Sequence, residues 1–138
     1  MEKNYSTDVL IIDDDQVHNF ITETMIKKTE KNIGITVCLN GQEAIEKLLH
    51  IKANNGKLPE FILLDLAMPV MDGWGFLDEY NRLNIDSKGQ SKIFVVSSSI
   101  FKRDIERALK HATVSQYISK PVSREVMHRI LEVDVQGS

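Results

Sequence analysis

At 138 residues, with 42% hydrophobic and 27% charged side chains, the chain has the size and balance of one globular domain that folds without staples. A net charge of -3 and the lack of a basic stripe give no electrostatic footprint for nucleic acid, and a single cysteine, Cys38, excludes an internal disulfide. The longest apolar runs span a handful of residues, far below the ~20 of a membrane helix, so a cytoplasmic protein without a membrane partner is expected.

The first apolar run, residues 9–12 (VLII), is unbroken rather than alternating, which predicts a strand buried on both faces of a parallel sheet. It stops in Asp13, Asp14 and Asp15, three adjacent negative charges. Val17, Phe20, Ile21, Thr24 and Met25 then recur at i, i+3, i+4, i+7 and i+8, predicting a helix with these residues on its buried face and Asp15 as its N-cap. Residues 35–39 (ITVCL) predict a second strand, with Cys38 a buried small hydrophobe. Asn40, with Glu43 three residues on, predicts the capped start of a helix that turns Ala44, Ile45, Leu48 and Leu49 inward.

After a polar connection, residues 61–64 (FILL) predict a third strand, ending at Asp65. The segment MPVMDG supplies turn chemistry, and Asp72 reads as the cap of a helix burying Phe76, Leu77, Tyr80 and Leu83. Met71 and Trp74 read as packing residues around that turn. A fourth strand, residues 93–96 (IFVV), ends in Ser97, Ser98 and Ser99. The helix after it is expected to bury Phe101, Ile105, Ala108, Leu109 and Ala112. Tyr117 and Ile118 mark a weaker fifth strand that ends in Lys120 and Pro121. Ser123 then caps a last helix burying Val126, Met127, Ile130 and Leu131. His18, His50, His111 and His128 have no partner spacing and are expected at surface or boundary positions.

Five strands alternating with five helices predict an α/β domain with a doubly wound parallel sheet. No internal repeat or second boundary is visible, so residues 1–138 read as one domain with its core at about 8–133.

In such a sheet the ligand site lies outside the carboxyl ends of the strands. Reading those ends collects Asp13, Asp14, Asp65, a serine hydroxyl and the Lys120 ammonium on one edge. Carboxylates this close raise one another's pKa or demand a cation, and an all-oxygen donor set suits Mg2+. A carboxylate nucleophile beside a metal, a hydroxyl and a lysine fits phosphoryl transfer through an acyl phosphate. Neither a G-x-x-x-x-G-K-[ST] loop nor a G-x-G-x-x-G turn is present to hold a nucleotide, so the phosphoryl donor must come from elsewhere.

The motifs LIIDDDQ, LLDLAMPVMDG, IFVVSSS and QYISKPV, in this order and spacing, make the sequence resemble the response-regulator receiver domain of two-component signalling over essentially its whole length. The resemblance implies a flavodoxin-like fold with strand order 2-1-3-4-5. It implies Asp65 as phosphoacceptor, Asp13 and Asp14 as the acidic pair holding Mg2+, and the backbone carbonyl of Ala67 as a further metal ligand. Ser97 and Lys120 would contact the phosphoryl group, and the Lys120–Pro121 bond would be cis. Ser97 and Tyr117 would form the switch, read out at the last two helices and the strand between them. The implied partners are a histidine kinase or phosphotransfer protein as donor and an unnamed downstream protein, with a phosphorylation-dependent homodimer also open. The chain would then be a stand-alone receiver that catalyses only its own phosphorylation and dephosphorylation. Two other readings stay open: a Mg2+-dependent aspartyl-phosphate phosphohydrolase, and a pseudo-receiver that never takes phosphate. The hydrolase chemistry usually wants an acid two positions past the nucleophile, where this chain has Ala67.

Overall fold

The computed structural model describes residues 7–29 and 32–135. In chain order the elements are β1 (Thr7–Ile12), α1 (Gln16–Lys27), β2 (Ile33–Cys38), α2 (Gly41–Ala53), β3 (Phe61–Leu64), α3 (Gly73–Arg82), β4 (Lys92–Ser97), α4 (Lys102–Leu109), β5 (Val114–Ser119) and α5 (Arg124–Val135). The strands form one parallel sheet in the order β2-β1-β3-β4-β5, as expected. Among the described residues, no helix is long and apolar enough to cross a membrane.

Alternation along the unbroken apolar strands divides the core in two. Leu10, Ile12, Ile62, Leu64, Ile93 and Val95 face α2, α3 and α4, packing with Leu48, Phe76, Leu77 and Ala108. Val9, Ile11, Phe61, Leu63, Phe94 and Val96 face α1 and α5, packing with Ile26, Met127, Ile130 and Leu131. Each such side chain taken from water contributes about 1.5–3 kcal/mol, which explains why the central strands keep their polar residues to their ends, Thr7 and Asp8 in β1 and Lys92 and Ser97 in β4. The outer strands are less apolar because each has a neighbour on one side only. Ile33, Ile35 and Val37 of β2 are half-buried, and so are Tyr117 and Ile118 of β5.

Three helices depart from the expected burial. In α1 the inward residues are Asn19, Thr22 and Ile26, while Val17, Phe20 and Ile21 are 71%, 70% and 45% exposed. Thr24 and Met25 are half-buried. The reason is local: Asp15 caps the helix by accepting from the His18 amide at 3.0 Å, and the Asn19 side-chain amide donates to the Asp13 carbonyl at 2.8 Å. That buried bond fixes the helix's rotation and overrides its apolar periodicity. In α2, Leu49 is exposed, although Asn40 caps as expected and Glu43 reaches back to the Leu39 amide. In α4 only Ala108 is fully buried and Ile105 is half-buried; Leu109, the N-cap Phe101 and Ala112 beyond the helix are exposed. This helix lies over the β5 edge, where there is little sheet beneath it to cover.

Candidate functional site

Asp13 and Asp65 continue the sheet beyond β1 and β3: the Asp13 amide donates to the Cys38 carbonyl and the Asp65 amide to the Ile12 carbonyl. Their backbones are thus set by strand pairing, and their carboxylates are 3% and 7% exposed as residues. Asp14, one residue on, is exposed. The three carboxylates each offer an oxygen within 4.8 Å of the others.

Lys120 directly follows β5, precedes a cis peptide bond to Pro121 and extends into the cluster. Its Nζ stands 2.8 Å from Asp13 Oδ2 and 3.6 Å from Asp65 Oδ1. Burial works against its charge, but the bond to Asp13 and the charges of Asp65 and Asp13 hold the ammonium above the ordinary lysine value. Burial, and then the neighbouring Asp13, push the Asp65 carboxyl up to about 6 despite the pull of Lys120. Asp13 has both oxygens engaged: Oδ1 accepts from the Asp15 amide at 2.9 Å and Oδ2 from Lys120.

The donor set fits a hard divalent cation. Three carboxylates with no thiolate or imidazole among them match the oxygen preference of Mg2+, and Lys120 supplies only one positive charge against three negative ones. Asp14 has the most exposed carboxylate of the three, and Asp13 the most committed one.

The loop after Asp65 is held from two sides. The Gly41 amide donates to the Met71 carbonyl at 2.8 Å, and the Gly73 amide to the Leu66 carbonyl at 3.0 Å. A Cβ on Gly73 would lie 2.5 Å from the Asp65 carbonyl oxygen, so only glycine allows this approach. Asp72 caps α3 through the Gly75 amide, as expected. Ala67 lies exposed on this loop.

Ser97, the last residue of β4, is buried, and its hydroxyl accepts from the Ser99 amide at 3.1 Å. The Tyr117 hydroxyl donates to the Ser99 carbonyl at 2.8 Å, and Ser99 Oγ donates to Asp104 at 2.6 Å. Ser97 and Tyr117 are therefore joined through Ser99. Tyr117 packs with the α2–α3–α4 half of the core, on the same face as Val95. Asp13 and Asp65 instead line a recess with Ile11, Leu63, Val96 and Val122, on the α1–α5 half.

The sequence reading does not place His18 or Asn19 in the site, and it names Ser99 only as one of the three strand-end serines. Asn19 holds the Asp13 backbone, and His18 Nδ1 lies 3.4 Å from Asp13 Oδ2 without a hydrogen bond. Burial, and the nearby Lys120, hold the His18 imidazole below its ordinary value. The available signal was spacing: one helical turn beyond a strand-end acid brings residues five and six positions on back over it.

Comparison with known proteins agrees with this fold. A model of the response regulator receiver domain matches residues 9–132. The chain is 30% identical to a two component response regulator from Cytophaga hutchinsonii of known crystal structure, with a TM-score of 0.83 and 94% and 96% of the two chains covered. It is 33% identical to the sensor histidine kinase CheAY of Helicobacter pylori, matching 97% of this chain and 16% of that protein. It is 31% identical to the probable C4-dicarboxylate response regulator DctR of Bacillus subtilis, over 90% of this chain and 50% of that one. The chain thus spans half or less of these two curated relatives.

Proposed function

This chain belongs to the response regulator receiver domain family, and on that premise we propose that Asp65 accepts a phosphoryl group from a histidine kinase or phosphotransfer protein in a Mg2+-dependent reaction. The observation that carries this reading is the cluster of Asp13, Asp14 and Asp65 within 4.8 Å, with Lys120 reaching two of them. An Asp65 carboxylate oxygen attacks the phosphorus, the phosphorus–nitrogen bond of the donor histidine breaks, and the departing imidazole keeps its electron pair and takes a proton. The product is an acyl phosphate on Asp65.

Lys120 neutralises charge on the phosphoryl oxygens, and the Ser97 hydroxyl donates to one of them. Asp14 would be the direct metal ligand together with Asp65 and the Ala67 carbonyl, and Asp13 would act through water. Bound Mg2+ supplies positive charge to the transferring group and relieves the repulsion between the carboxylates. The exposed apolar surface of Val17, Phe20 and Ile21, starting two residues after the Asp15 cap, supports donor docking against α1. The outgoing signal leaves through Ser97, Tyr117 and the face of α4, β5 and α5. With Ala67 where a hydrolase would carry its second acid, turnover is confined to the domain's own acyl phosphate.

Incubation with acetyl phosphate and Mg2+, read by intact mass, should add one acid-stable, base-labile phosphate to the wild type and none to Asp65→Asn. Asp14→Ala should need far more Mg2+ for the same labelling. Full labelling of Asp65→Asn would overturn the assignment.

A further inference from the structure

His18 stands beside the acidic cluster with one ring nitrogen unused. Its Nδ1 is buried 3.4 Å from Asp13 Oδ2 and makes no hydrogen bond. The backbone around it is pinned: Asp15 caps α1 on the His18 amide at 3.0 Å, and Asn19, next along, holds the Asp13 carbonyl at 2.8 Å. The ring therefore closes on Asp13 by turning its own side chain, without a shift of α1. Ile11, Leu63, Val96 and Val122 line the recess it shares with Asp13 and Asp65. An apolar side chain would pack there and leave no polar atom without a partner.

A neutral imidazole carries its proton on one nitrogen only. With the proton on Nε2, the Nδ1 lone pair would face the Asp13 carboxylate, two electron-rich atoms 3.4 Å apart. With the proton on Nδ1, Asp13 Oδ2 has a second donor within reach. The carboxylate thus favours the Nδ1–H form.

Asp13 Oδ2 does not yet need that donor, because Lys120 Nζ holds it at 2.8 Å while standing 3.6 Å from Asp65 Oδ1. A phosphoryl group on Asp65 would carry more charge than either carboxylate and draw the ammonium to its oxygens. Asp13 would keep the Asp15 amide on Oδ1 but lose the donor on Oδ2, at a residue only 3% exposed. A buried charged oxygen left without a donor costs more than an ordinary hydrogen bond contributes. We propose that His18 Nδ1–H replaces Lys120 on Asp13 Oδ2 when Lys120 turns to the phosphoryl group, which makes His18 a positioning residue for the transfer. Resting on the reading of Asp65 as acceptor, this exchange adds the donor that frees Lys120 to follow the charge. An ionised carboxylate accepts about four hydrogen bonds, so metal-bound water and His18 can serve Asp13 side by side.

Such an exchange separates His18 from a packing residue. Before loading, Lys120 serves Asp13, so removing the imidazole takes no hydrogen bond from the fold. After loading, its loss leaves Asp13 short of a donor or holds Lys120 back. The nitrogen is also specified. Asn carries its amide nitrogen as many bonds from the backbone as His carries Nδ1, Gln carries it one bond farther, and Leu has no donor.

The test compares the full chain with His18→Leu, His18→Asn and His18→Gln. In EDTA, His18→Leu should melt at or above the wild type, because an idle donor gives way to an apolar side chain in an apolar recess. With acetyl phosphate and saturating Mg2+, intact mass should show Leu and Gln labelled about tenfold more slowly, and Asn within about twofold of the wild type. Should His18→Leu fail to fold, the difference between Asn and Gln still decides. Apart from labelling, long-range proton–nitrogen spectra of the wild type should show His18 protonated on Nδ1, and that proton should move downfield on adding beryllofluoride and Mg2+. Equal rates in all four proteins, equal losses in Asn and Gln, or a loaded ring without its Nδ1 proton overturn the proposal. No phosphate on the wild type sinks the acceptor reading and the exchange with it. Phosphate on the wild type with equal rates in the variants sinks the exchange alone.

Discussion

Asp65 binds its proton more tightly in the fold than in the unfolded chain, because its carboxyl is pushed from 3.8 up to about 6 by burial and then by Asp13. The protonated form therefore stabilises the fold fully below about 3.8, and that contribution is lost as the pH rises through about 6. At neutral pH without divalent cation, Asp65→Asn should be more stable than the wild type, by at most roughly 2 kcal/mol. The gain should shrink on acidification. Thermal melts in EDTA at pH about 8 and about 5 check this, and a variant less stable than wild type at the higher pH would refute it. At this scale the sequence was legible where strand ends converge. Asp13, Asp14, Asp65 and Lys120 meet because parallel pairing aligns the residues that end each strand. His18 and Asn19 were not legible, because their approach depends on how a helix is rotated about its axis. Ser99 was legible as a strand-end serine but its bonds were not: two go through its backbone groups and one reaches Asp104 of α4, which residue type does not reveal.

At the level of elements, α1 shows how apolar periodicity can mark a surface rather than a core. The pattern Val17, Phe20, Ile21 is a sound helix signal, and the helix forms. Its inward side is nevertheless chosen by the Asp15 cap and the Asn19 bond to Asp13. Phe20→Ser should therefore cost under about 1 kcal/mol, whereas Ile26→Ala, on the same helix and fully buried, should cost about 2–4 kcal/mol. Urea denaturation of both variants decides the matter. Equal losses would mean that Phe20 is packed. α4 fails to bury its expected stripe for a different cause, its position above an edge strand. Helices over the central strands, α2 and α3, largely follow their patterns: Ala44, Ile45, Leu48, Phe76, Leu77 and Tyr80 are all buried.

Across the whole molecule the strand–helix alternation and the unbroken runs of β1, β3 and β4 made the architecture legible, while the mixed outer strands blurred only their own ends. One property of that architecture was invisible in the sequence. The acidic recess opens toward the α1–α5 half, and Tyr117 packs in the other. A change at Asp65 cannot travel through packed apolar side chains from one half to the other, because the hydrogen-bonded sheet stands between them. On the proposed reading it passes around the rim, along the hydrogen bonds that join Ser97 through Ser99 to Asp104. Hydrogen exchange on phosphorylation should accordingly change at residues 97–105 and leave the amides of Met127 and Ile130 as protected as before. Equal change on both sides would contradict this. On the proposed reading the sheet works as a partition between two rooms, with the reaction in one, Tyr117 and α4 in the other, and α5 on the reaction's side. Mutations that loosen the first need not disturb the second, so the lifetime of a phosphate on Asp65 and the signal it would send through α4 are free to evolve apart.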